Sequence, residues 1–275
     1  MQITAKKPTL IMIHGFRGTH HGLVLIAEQF RKQYNVIVPD LPGFGAGDII
    51  DSHDLDSYVA WLQVFIKKQR LTEKPLLLGH SFGSIVTSAY AAKHPKMIEK
   101  LILVNPIGAP ALEGQQRVLT NLAIFYYKLG EKLPEKLGRR WLGLTAVTMI
   151  MSISMAKTDD KKLRKYIHSQ HRQYFSTFHS AKSVSEGFRT SVSHDVSEFA
   201  PKIKIPTLLI AGALDDVTHL SKQFALVKLF SNAKLSVIDG VGHLTHYEKP
   251  VVVANIIKRW LKSAASATYP NKKLN

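Results

Sequence analysis

Six short apolar runs separated by helix-length segments limit what this chain can become. They lie at residues 9–13, 35–38, 75–78, 100–104, 207–211 and 234–238. Runs of this length that are apolar without alternation are those of strands buried on both faces, as in a parallel sheet. The segments between them carry helical spacing. Leu23, Ile26, Ala27 and Phe30 share one face, and Tyr58, Leu62, Phe65 and Ile66 share another behind Asp54, a residue suited to capping. Residues 84–92, 221–230 and 251–261 continue the pattern. Strands joined through helices cross over with right-handed sense, so the expected fold is α/β: a doubly wound, mostly parallel sheet. Chemistry in such a sheet belongs on the loops at the carboxyl ends of the strands.

The alternation stops between Ile107 and about Phe199, where the pattern is helical. We therefore expect a core of residues 1–106 and 200–262, a helical cap at 107–199, and a disordered basic tail at 263–275. Within the cap, residues 142–155 are strongly apolar but too short to span a bilayer. The segment from Asp159 to Phe178 mixes Lys161, Lys162, Arg164, Lys165 and Arg172 with Tyr166, Tyr174, Phe175 and Phe178. The methionine and aromatic stripe reads as cap core in preference to a lipid-facing surface.

Charge and composition narrow the classes. The formal net charge of +17 on 275 residues favours anionic partners, or serves as a solubilising surface. No helix-turn-helix, zinc-ligand spacing or basic–aromatic nucleic-acid module accompanies it, which argues against nucleic acid. The chain has no cysteine, which excludes disulfides and thiolate metal sites. No apolar stretch follows the first charges, so a cytoplasmic location is expected.

The chemistry centres on Gly79-His80-Ser81-Phe82-Gly83, placed between a strand and a helix. A tight turn there forces the serine into a strained conformation that lifts its hydroxyl above the sheet. A serine hydroxyl needs a base, and the base needs an orienting group. His243 follows the last strand in Gly240-Val241-Gly242-His243, and Asp215 and Asp216 follow the strand ending at Ala211.

Taken together these segments resemble the α/β-hydrolase superfamily, in its serine-nucleophile, esterase- and lipase-like branch. The likeness rests on His14-Gly15-Phe16, on Asp40-Leu41-Pro42-Gly43-Phe44-Gly45, on the serine turn, on Gly212-Ala213-Leu214-Asp215, and on Gly242-His243 followed by Glu248 and Pro250. It covers residues 9–105 and 205–261 and fails over the cap. It implies Ser81 as nucleophile, His243 as general base and Asp215 as its orienting acid, with the backbone N–H groups of Phe16 and Phe82 as the oxyanion hole. No cofactor or metal is implied. Only the G-x-x-D register favours Asp215 over Asp216. His246 is expected to pack or cap, His14 to form a structural hydrogen bond beneath the Phe16 loop, and Arg17 to be a solvated loop residue in preference to a carboxylate ligand. The family's N-terminal β-hairpin is absent or very short, which leaves the sheet edge open to question. Serine at position 81 argues against the dehalogenase and epoxide-hydrolase branches, and Leu244 fits the meta-cleavage product hydrolases poorly.

The expected activity is hydrolysis of a carboxylic ester with a hydrophobic acyl group through an acyl-enzyme. A carbon–carbon bond hydrolase or lyase of the same fold, or a non-enzymatic binding protein, are the alternatives. The partner is a small ester or acyl substrate, and the basic cap segment adds transient association with anionic membrane.

Overall fold

The computed structural model describes residues 7–109 and 117–266, with only the backbone described at 117–120 and 264–266. Residues 1–6, 110–116 and 267–275 lie outside the described residues.

Among the described residues six strands form one sheet: β1 (Thr9–Ile13), β2 (Asn35–Ile37), β3 (Leu76–His80), β4 (Lys100–Val104), β5 (Thr207–Gly212) and β6 (Ala233–Ile238). Their order is β2-β1-β3-β4-β5-β6 and every pairing is parallel. Among the described residues the sheet has no antiparallel strand, and β2 forms one edge. The pleat sends alternate side chains of each strand into two separate cores. Ile11, Ile13, Leu77, Leu101, Leu103 and Leu209 face α2 (Leu55–Lys68) and α3 (Phe82–Lys93). Leu10, Met12, Leu78, Ile102 and Ile210 face α1 (Val24–Glu28) and α11 (Pro250–Ser266). Period-two alternation buried on both sides is why the strands read as continuous apolar runs. Asp54 caps α2 by accepting the Ser57 N–H at 2.8 Å.

Between β4 and β5 the described residues form five α-helices: α4 (Arg117–Lys132), α5 (Glu135–Leu142), α6 (Thr145–Met155), α7 (Lys161–Tyr174) and α8 (Ala181–Ser193). After β5 come α9 (Leu220–Val227) and, after β6, the short α10 (Thr245–Glu248). The five helices are tied to loops of the sheet. Gly45 N–H donates to Thr177 O at 2.7 Å and His179 N–H to Gly43 O at 2.9 Å. Glu248, buried in α10, accepts the N–H groups of Lys157 and Thr158 at 2.7 and 3.0 Å.

Two expectations need correction here. Helix α11 runs to Ser266, past the expected start of a disordered tail at residue 263. Helix α6 is only partly a core helix: Met151 and Met155 face the cavity and Thr148 and Ser152 are buried, whereas Ile150 and Ile153 are 68% and 63% exposed. The cause is polar. Ser152 Oγ sits between His171 Nδ1 at 2.7 Å and His168 Nδ1 at 2.6 Å, and a buried hydroxyl is kept where it has partners.

Candidate active site

Ser81 stands between β3 and α3 with φ 52° and ψ −121°, a backbone conformation that L residues rarely adopt. The flanking glycines make the turn possible. A Cβ on Gly79 would overlap Thr87 Oγ1 and the Gly83 carbonyl, and one on Gly83 would overlap the Ile13 carbonyl of the neighbouring strand. The turn therefore packs against β1 with no room for side chains, and the serine hydroxyl projects from it.

His243 and Asp215 arrive from the ends of β6 and β5. His243 Nε2 lies 2.7 Å from Ser81 Oγ, and His243 Nδ1 lies 2.8 Å from Asp215 Oδ2. Asp215 is buried, yet its carboxyl is held well below the usual carboxylate range. Desolvation by burial pushes it upward, and the opposing effects of His243 and of hydrogen bonds from His243 and Thr218 outweigh that. Its Oδ1 accepts the N–H groups of Val217 and Thr218 at 2.8 and 2.9 Å. Its Oδ2 accepts Thr218 Oγ1 at 2.6 Å and Asn105 Nδ2 at 2.8 Å. An ionised carboxylate only accepts, so His243 Nδ1 carries the proton and Nε2 is the acceptor facing the Ser81 hydroxyl. The arrangement can pull a proton from Ser81 toward the ring.

The remaining candidates fall into place around this chain. Asp216 points outward and pairs with Lys157. His246 is the second residue of α10, buried with its ring 4.0 Å from that of His80. His14 Nε2 accepts the Leu41 N–H at 2.8 Å, so its Nδ1 donates to Gly15 O at 2.8 Å and it is structural. Phe16 and Phe82 both line the cavity beside Ser81, and Phe82 opens α3, where the first N–H groups have no partner within the helix. Arg17 departs from expectation: it is 1% exposed, neither solvated nor bound to a carboxylate. A glycine-rich loop beneath the inserted helices gives no sequence sign of that burial.

Sequence reasoning also missed Asn105. It has φ 46°, is fully buried, and donates to Asp215 and to Gly242 O while accepting from Thr245 Oγ1. The only signal was its place at the carboxyl end of a strand, directly before Pro106.

The cavity over Ser81 has a volume of about 830 Å³. Its apolar wall includes Phe16, Leu23, Met151, Met155, Phe175 and Val192, so α6, α8 and the C-terminal end of α7 supply part of the lining. Between the inserted helices and the loops of the sheet lies a cluster of buried histidines. His171 is pushed down to about 3 by burial, reinforced by nearby His168, and His80 is pushed down to about 3 by burial and by nearby His243. Both stay neutral in the folded protein at pH values where the unfolded chain protonates them near 6.5. Their contribution is complete above pH 6.5 and is lost as pH falls from there toward 3. Urea midpoints measured at pH 7.5 and 5.5 should fall toward the acid side, and His171→Phe should flatten that slope. An equal slope in the variant would exclude His171 as a source.

A doubly wound α/β protein with a strained serine at a strand–helix turn, and histidine and carboxylate at later strand ends, is of the hydrolase class. The chain belongs to the alpha/beta hydrolase fold family, whose model matches residues 8–250. Among curated proteins it is similar to monoacylglycerol lipase ABHD6 of Homo sapiens, at 26% identity over 98% of this chain and 79% of that one. It is also similar to lipase 3 of Moraxella sp. (strain TA144), at 25% identity over 90% of this chain and 76% of that one. Among solved structures it superposes on a thermophilic esterase from Thermogutta terrifontis with a TM-score of 0.78 and 20% identity, covering 94% of this chain and 91% of that one. Among the described residues no helix is long and apolar enough to cross a membrane.

Proposed function

We propose that the protein is a serine hydrolase that cleaves a carboxylic ester bearing a hydrophobic acyl group. The hydrogen-bonded chain Ser81–His243–Asp215 at the floor of an apolar cavity carries this reading. Ser81 Oγ attacks the ester carbonyl as His243 Nε2 takes its proton, and the resulting oxyanion is held by the N–H groups of Phe16 and Phe82. Collapse expels the alcohol, which takes the proton back from Nε2 and leaves Ser81 acylated. Water, deprotonated by the same nitrogen, then attacks the acyl-enzyme; collapse releases the acid, and Ser81 regains its proton. Each oxyanion donor contributes roughly 2.7–4 kcal/mol to such a transition state. The lipase and monoacylglycerol lipase relatives support the substrate class, and a cavity of about 830 Å³ suits a long acyl chain. Residues 107–199 act as the cap that sets specificity. Labelling by a fluorophosphonate followed by an ester chain-length series tests this reading. A carbon–carbon bond hydrolase would instead prefer vinylogous diketones over esters in the same panel, and absence of labelling would point to a binding protein.

The cap surface supports transient association with an anionic bilayer. Ala146, Ile150 and Ile153 recur at i, i+4 and i+7 on the outward side of α6. Beside them Lys161, Arg164, Lys165, His168 and Arg172 of α7 line a recess of about 350 Å³ with no carboxylate in its wall. An exposed apolar stripe next to a basic face is the pattern of helices that lie on membranes. Each basic group near an anionic surface is worth about 1 kcal/mol, so replacing Lys161, Lys165 and Arg172 together by alanine should weaken binding about 10²-fold. Co-sedimentation with phosphatidylcholine vesicles, with and without phosphatidylglycerol, reads this directly. Binding that ignores the anionic lipid would count against it.

A further inference from the structure

Arg17 is among the largest fully buried side chains of the described residues, and its guanidinium carries a full positive charge. Its hydrogen-bond partners are all in the cap. Nε donates to Phe175 O at 2.9 Å, Nη2 to Leu142 O at 2.8 Å, and Nη1 to the Tyr127 hydroxyl at 3.2 Å. The guanidinium also lies 5.6 Å from the centre of the Phe178 ring. Leu142 is the last residue of α5 and Phe175 caps the C-terminus of α7. Carbonyls at helix C-termini carry partial negative charge, so two helix ends together take the place of a counterion.

The backbone of the same residue is unusual. Gly18 N–H donates to Gly15 O at 3.0 Å, closing a four-residue turn in which Phe16 and Arg17 are the central pair. Arg17 has φ 58°, and a positive φ at the third position of such a turn is the geometry that glycine normally supplies. Phe16, with its proposed oxyanion N–H, sits on this turn. Gly15 stands so close to the nucleophile that a Cβ there would lie 3.1 Å from Ser81 Cβ. A turn that its own residue disfavours is thus held by a side chain anchored in three cap segments.

We propose that Arg17 is a positioning residue: the seated cap, through its guanidinium, holds the Gly15–Gly18 turn in the form that aims the Phe16 N–H at the reacting carbonyl. The inference rests on the serine-hydrolase reading above. Cap seating and oxyanion geometry become one event, so the site is complete only when the helices are docked.

Two substitutions separate this role from plain packing. Arg17→Met removes the tether and keeps a residue that disfavours positive φ, so the turn relaxes. Arg17→Gly removes the same tether but adopts positive φ without strain. With the full-length protein and a p-nitrophenyl ester, Arg17→Met should lose about 10²-fold in kcat, and affinity for an aryl boronic acid that forms a tetrahedral adduct on Ser81 should fall with it. Arg17→Gly should recover kcat to within about tenfold of the wild type while sharing any rise in KM caused by the loosened cap. Should Arg17→Met fail to fold, Arg17→Gly alone decides, by retained or lost kcat. A kcat for Arg17→Gly as low as that of Arg17→Met, or an unchanged kcat in Arg17→Met, would overturn the proposal. Ser81→Ala run in parallel keeps the two levels apart. If it still hydrolyses ester the underlying reading fails, and if it is inactive while the Arg17 pattern is absent only this inference fails.

Discussion

Ser81→Ala should lower kcat for a short p-nitrophenyl ester by about 10⁴- to 10⁶-fold with KM within a few-fold of the wild type. The magnitude follows from what is removed. Only Oγ is lost, the atom that His243 Nε2 approaches to 2.7 Å, and the cavity wall that binds the acyl group is untouched. Binding therefore survives while the covalent route disappears. Fluorophosphonate labelling should vanish in the same variant, and its circular dichroism and urea midpoint should match the wild type. An undiminished rate would remove Ser81 from the reaction and with it the acyl-enzyme.

Asp215→Asn should cost about 10⁴-fold in kcat, against a change within about twofold for Asp216→Asn. The contrast comes from where the two neighbours point. Asp215 accepts five hydrogen bonds, from His243, Asn105, the Thr218 hydroxyl and two backbone N–H groups. An asparagine has one acceptor oxygen and brings two donors of its own into a pocket already full of donors. Turned toward His243, its amide would force the proton onto Nε2 and leave Ser81 without a base. Asp216 is an exposed carboxylate whose pair with Lys157 lies at the surface. Equal losses in the two variants would mean that the orienting carboxylate has been misassigned.

The parts of this molecule that were legible beforehand are those where local pattern and tertiary role coincide. Each buried strand is an apolar run because both its faces meet helices, and the Gly79–Gly83 turn declares itself because its glycines are demanded by sterics within a few residues. Asp215 and His243 could be named because glycine turns mark the strand ends that deliver them. Arg17 was misjudged for the opposite reason. Its environment is made by Tyr127, Leu142 and Phe175, all more than a hundred residues away in sequence, and no local rule announces that two helix ends will converge on one loop. The outward isoleucines of helix α6 were not legible because hydropathy counts residues without knowing which side faces inward. The Ser152 hydroxyl, held between His168 and His171, sets its rotation, and the isoleucines follow. Asn105 escaped notice because an asparagine before proline reads as a simple strand stop.

The attachments of the five inserted helices are spread along the chain, on Arg17, the loop of Gly43 and Gly45, His53 and Glu248 among others. Insertions of this kind are often treated as cassettes to be exchanged between relatives. Here the sockets are written into the scaffold, one of them a buried cation that requires carbonyls at two particular helix ends. A foreign insertion joined at residues 107 and 199 would have continuous chain yet strand that cation in an apolar interior. New specificity in this scaffold is therefore reached by changing side chains that face the cavity, such as Met151 and Val192, and not by transplanting the roof.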